Sequence, residues 1–194
     1  MSFNPNAKDT GFARELIPSG PHAARCARVI EIGKQWSDKF QSESNKVVIV
    51  LALPNVLVDI NGEKKQAFVS NRYGVTVSAM SKNLKQYTQA LDPNEEVTDF
   101  GGFLNRTCAV FMKHKERDGK VYSNLDSVSP LLPGTPVPEL DVTPIWFQWD
   151  RPDPAVYKQL PEFQRTIIKS ATNFKGSLVE EMVNELEGSS DLPM

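Results

Sequence analysis

The chain switches between two hydrophobic periods. HAARCARVIEIG interleaves apolar and basic residues and predicts a first strand over 22–33, ended by Gly33. GKQWSDKFQSESN (33–45) follows as a polar loop carrying two aromatics. KVVIVLAL (46–53) is apolar, β-branched and closed by Pro54, the pattern of a strand buried on both faces. Asn61-Gly62 marks a turn. QAFVSNRYGVTV (66–77) then places Val69, Tyr73, Val75 and Val77 on alternate positions, a half-buried third strand. Over 80–93 the period lengthens: Leu84, Tyr87 and Leu91 fall at helical spacing, with Ser81 as N-cap. A second short helix is expected next, with Asp92 at its cap, Pro93 at its first position, Glu95 and Glu96 in its first turn, and Gly101-Gly102 at its end. NRTCAVFMKH (105–114) and KVYSNLDSVS (120–129) are strands joined by the ERDG bend. After a proline-rich connection (131–144), IWFQWD (145–150) adds a short strand. Phe163, Ile167 and Phe174 make 160–174 amphipathic.

Three strands, a helical segment and a two-stranded hairpin predict a mainly β protein. The order is that of a five-stranded OB-fold-like Greek-key barrel, here with a helical insertion between strands 3 and 4 and a C-terminal helix plus acidic tail. Other small β folds share this element count. The OB-fold binds oligonucleotides or oligosaccharides with one face and with the loops between strands 1 and 2 and strands 4 and 5. Those loops correspond to 34–45 and 114–120. The predicted organisation is an N-terminal arm (1–19), one domain (20–175) and an acidic tail (176–194).

Composition narrows the function classes. The chain has 194 residues, enough for one core, and 40% hydrophobic and 24% charged residues, an ordinary globular balance. No apolar run approaches the roughly 18 residues of a membrane span. The first residues lack a basic and then apolar leader, so a cytoplasmic protein is expected, with Cys26 and Cys108 as free thiols. The formal charge of −2 hides an asymmetry. LVEEMVNELEGSSDLPM (178–194) holds five acids and no Lys or Arg; setting these five aside from 24 leaves 19 acids against 22 bases, a body of about +3.

Catalysis finds little support. His22 and Cys26 share a strand face but stand about 13 Å apart along it, too far for a base and its nucleophile. No CxxC, HExxH or phosphate loop occurs, so no enzyme, metal or cofactor is expected. Single-strand binding needs cations for phosphates and rings for bases. The first loop offers Lys34, Trp36, Lys39 and Phe40; the second offers Lys113, Lys115, Arg117 and Lys120 with Tyr122. Arg25, Arg28, Arg72 and Tyr73 add to them from strands 1 and 3, and the fold would gather all these groups on one face. Bland alternatives stand beside each: Trp36 and Phe40 fit a small cluster under their loop, and Tyr73 follows the core alternation. Glu116 and Asp118 interrupt the hairpin cations, and Trp146, Phe147 and Trp149 read as core more than as a platform.

SSDLPM, an acid followed by Leu-Pro and a large apolar terminus, resembles the tail tip of bacterial single-stranded DNA-binding proteins, with Met where that family has Phe. The resemblance implies that Asp191, Leu192, Pro193 and Met194 dock replication or recombination proteins. In the body, PSGPHAARCARVIEIGKQ, RYGVTVSAMSKNLKQYTQAL and GGFLNRTCAVFMKHKERDGKVYSNLDSVSPL are similar to small proteins of phage replication and recombination modules, covering roughly residues 18 to 132. That group implies an OB-fold single-stranded DNA binder acting in the host cytoplasm. The rival expectation is an OB-like module that docks another protein and has no nucleic-acid affinity. Oligomeric state stays open.

Overall fold

In the computed structural model the described residues are 15–60, 62–75 and 82–188. The order is β1 (Gly20–Ser37), β2 (Ser42–Ile60), β3 (Glu63–Val75), α1 (Lys82–Leu91), a 3-10 turn (Phe100–Phe103), β4 (Thr107–Arg117), β5 (Lys120–Ser129), β6 (Ile145–Phe147), α2 (Pro154–Gln159), α3 (Glu162–Lys169) and α4 (Leu178–Gly188). The protein is mainly β. Five strands form an antiparallel sheet in the order β3-β2-β1-β4-β5, and β6 joins β1 in parallel. β1 is divided between two partners: Gly20–Arg25 pair with β4, and the stretch from Arg25 to Ser37 pairs with β2. Among the described residues no ladder joins β3 to β5.

The apolar run of β2 explains the layering. Val47, Ile49, Leu51 and Leu53 face a core completed by Ala24, Cys26 and Val29 of β1, Cys108, Val110 and Met112 of β4, and Leu84, Tyr87 and Leu91 of α1. Val48 and Val50 point the other way, into a second core with Ile30, Ile32, Phe147, Tyr157, Leu160 and Ile168. Successive strand side chains alternate faces, so a continuous apolar run requires two cores. Burying each such side chain contributes about 1.5–3 kcal/mol. Both thiols lie in the first core and are unpaired; burial pushes them up, Cys108 to about 12 and Cys26 higher still.

Several expectations change. β1 and β2 continue through the supposed loop 34–45 as a two-stranded ribbon, pairing Lys34 with Asn45 and Trp36 with Glu43 and leaving only Asp38–Gln41 to turn. β2 passes Pro54 by a bulge between Leu53 and Leu57. The second helix is absent: the buried Asp92 carboxylate accepts from Val97 N (2.7 Å) and pairs with Arg106 (2.6 Å), closing a loop instead of capping a helix. Gly101 belongs to the 3-10 turn, and a Cβ there would overlap the Trp146 ring. The arm is no free segment near the domain, because Ile17 is 4% exposed within the first core and its carbonyl accepts from His114 Nε2 at 2.8 Å. Much of the supposed tail is α4, whose Val179, Met182 and Val183 are buried in the second core. Ser81, residues 1–14 and the tip Asp191–Met194 lie outside the described residues.

Candidate nucleic-acid interface

Strand alternation sorts the charges of the β4–β5 hairpin. Phe111, Lys113, Lys115 and Arg117 occupy alternate positions of β4 and share one face. Their cross-strand partners on that face are Asn124 opposite Lys113, Tyr122 opposite Lys115 and Lys120 opposite Arg117. Glu116, which interrupts the cations in sequence, pairs with Val121 on the reverse face. His114 and Ser123 lie there too, bonded to the Ile17 backbone. The result is a stripe of four cations with Tyr122 among them and Phe111 at its inner end, about 20 Å long from Phe111 to Arg117 at strand rise. Tyr122 is about half exposed, and Lys115 has no ion-pair partner among the described residues. Lys113 bridges to Asp126 (2.7 Å) and stands over the Phe111 ring, while Arg117 lies 3.5 Å from Asp118 in the turn. Asp118 (φ 53°) and Gly119 (φ 72°) take the left-handed conformations that close the hairpin, at little cost for Asp and Gly.

The β1–β2 ribbon carries a second group. Trp36 is 53% exposed and Phe40 70% exposed, so the rings do not form a cluster under the turn. Trp36 Nε1 donates to Asp38 (2.9 Å), and the Lys39 ammonium stands 5.4 Å from the Phe40 ring centre. Lys34 shares the Trp36 face and approaches Glu43 at 3.6 Å. Thr172 clamps the ribbon's base: its N–H donates to Lys34 O at 2.8 Å and its hydroxyl to Glu43.

Three expected contributors differ. Tyr73 is 4% exposed and packs against Tyr87 with ring centres 4.5 Å apart, so it is core and no base can stack on it. Burial drives its phenol far above the ordinary tyrosine value. Arg72, on the opposite face of β3, is exposed with no bonded partner among the described residues. Arg25 is committed elsewhere: its guanidinium donates to the carbonyls of Asn105 (3.0 Å), Val137 (2.8 Å) and Pro138 (3.2 Å) and pairs with Glu139. It ties the proline-rich connection to β1. Arg25→Lys keeps the charge but cannot span three carbonyls, so urea unfolding should show a loss of about 2 kcal/mol with oligonucleotide affinity unchanged.

The single shared cleft is the larger correction. β4 passes the start of β1, with Met112 opposite Gly20, so the cationic hairpin extends beyond that end. The Trp36 ribbon closes beyond Ser37, at the other end. An 18-residue strand separates the two turns. They are two sites on one sheet. Of the expected residues, Arg28 is half-buried over the Phe68 ring (5.6 Å), and one basic residue outside the expected set, Lys46, lies at the ribbon's base. Desolvation lowers the Arg28 pKa without an acid to offset it.

Among the described residues no group of three His, Cys, Asp or Glu side chains could hold a metal ion, and no helix is long and apolar enough to cross a membrane. No protein-family model matches the chain, and no curated protein matches it.

Proposed function

We propose that the protein binds single-stranded DNA without sequence specificity and has no catalytic role. The observation that carries this is the one-faced stripe of Lys113, Lys115, Arg117 and Lys120 with Tyr122 and Phe111, since cations at phosphate reach and rings for stacking are the two requirements of such binding. The Trp36–Phe40 ribbon, with Lys34 and Lys39, is a second contact for the same strand, and Arg72 lies on β3 opposite Val48 of β2. The fold reading is an OB-fold-like barrel. Its support is the strand order, in which β1 serves both β2 and β4, and the helical segment between β3 and β4. The sequence resemblances suggest a place in phage DNA replication or recombination in the host cytoplasm, with Asp191–Met194 recruiting other proteins of that machinery.

Titration of labelled oligo-dT and of a duplex of equal length at two ionic strengths tests the proposal. Four phosphate contacts on the stripe imply a log–log salt slope near −2.8, so affinity should fall about 50-fold between ~50 and ~200 mM salt. Oligo-dT should be bound more tightly than duplex. Absence of binding, or binding indifferent to salt, rejects the proposal; a stably co-purifying protein in that case identifies a protein-docking module instead.

A further inference from the structure

Two adjoining clefts lie at the root of the β1–β2 ribbon, away from the hairpin stripe. One, of about 310 Å³, is lined by Lys34, Lys46, Phe100, Trp149 and Asp150 among others. The other, of about 270 Å³, is lined by Glu31, Trp146, Gln148, Asp150 and Arg151. They share Glu31 and Asp150, so together they make a groove with two lysines in one half, an arginine in the other, and aromatic walls in both.

The walls are held in place. Glu31 accepts from Trp146 Nε1 (3.3 Å) and from the Trp149 backbone N–H (3.0 Å), one bond to each oxygen, and so anchors the Trp146 indole and the Trp149 backbone. Trp149 lies flush on Gly33, where a Cβ would overlap the ring. Asn173 Oδ1 accepts from Lys34 N at 2.7 Å and fixes the ribbon's base beside it. Asp150 and Lys46 contrast with these: each lines the groove, and neither has a hydrogen-bond or ion-pair partner among the described residues. Trp36 shares the ribbon face of Lys34, one pleat further out.

This combination suits one nucleotide. Lys34, Lys46 and Arg151 offer charge to the flanking phosphates, and Trp149 with Phe100 offers ring surface to the base. Asp150 as a carboxylate only accepts hydrogen bonds. It therefore pairs well with the exocyclic amino group of cytosine, adenine or guanine, whereas thymine offers it only an N3–H flanked by two carbonyls that repel it. We propose that this groove is a base subsite that prefers a base with an exocyclic amino group over thymine. The inference rests on the single-strand reading above and adds a base preference to it.

Affinities of oligo-dC and oligo-dT of equal length, measured for the full chain and for Asp150→Ala, Lys46→Ala and the paired Lys115→Ala/Arg117→Ala variant, test it. Both bases are pyrimidines, so stacking area changes little. The full chain should bind oligo-dC at least about fivefold more tightly. Asp150→Ala should bring the ratio to within about twofold. Lys46→Ala should weaken both ligands severalfold, and the hairpin variant should weaken both while keeping the oligo-dC preference. Equal affinities in the unaltered chain, or a preference that survives Asp150→Ala, overturns the base subsite while leaving single-strand binding in place. No binding of either oligomer removes both readings together.

Discussion

Replacing Lys115 and Arg117 together by glutamate should lower oligo-dT affinity by about 100-fold near 0.1 M salt, the product of two lost attractions and two new repulsions. The salt slope should flatten from about −2.8 towards −1.4, because two of four counterion-releasing contacts disappear. Both side chains project from a ribbon exposed on its two faces, so the fold should be indifferent and the unfolding midpoint unchanged. A variant with full affinity and the original slope would remove the stripe from the binding surface. Tyr122→Ala adds an independent check. It lies opposite Lys115 on the same face, and losing its ring should cost about 1–3 kcal/mol of affinity with the slope unaltered. The separation of effects matters: cations set the slope, and the ring sets the intercept.

The second large effect concerns stability. Gly33→Ala should destabilise the protein by about 2–5 kcal/mol in urea titration. Gly33 has φ 68°, a left-handed conformation that costs a residue with a Cβ about 1–2 kcal/mol. The added methyl would also overlap the Trp149 ring and sit 2.8 Å from Asn173 Oδ1, and such overpacking adds about 1–3 kcal/mol. Gly119→Ala is the control. Its φ is 72°, but a Cβ there meets open space, so only the backbone cost of about 1–2 kcal/mol should appear. Equal losses at the two positions would show that Trp149 yields easily, and the rigid groove wall would have to be abandoned.

Strand identity was legible where the local pattern had one cause. KVVIVLAL reads as a strand buried on both faces, and its valines and isoleucine do divide between two cores. The ERDG bend reads as a hairpin turn because Asp and Gly tolerate positive φ, and both adopt it. Residues 34–45 are ambiguous in sequence because polar side chains suit an exposed ribbon as well as a loop; backbone pairing between β1 and β2, invisible in side-chain polarity, decides between them. α4 was obscured by composition. Val179, Met182, Val183 and Leu186 recur at helical spacing, but the five acids in 178–194 give the segment the composition of a solvated tail. Arg25 and Tyr73 had the right chemistry and the wrong surroundings, three carbonyls in one case and a buried tyrosine pair in the other.

The amino-acid order alone determined that this chain is strand-rich, that a helical segment interrupts the strands, and that its cations cluster at a hairpin. These properties depend on neighbours within a few residues, where the two-residue and 3.6-residue periods operate. Only the tertiary structure decided that Glu116 turns away from Lys115, that the two basic turns leave β1 at opposite ends, and that Trp149 rests on Gly33 in a groove that Asp150 also lines. Each of those facts depends on register or on packing between distant segments, and neither is contained in the spacing of residues along one strand.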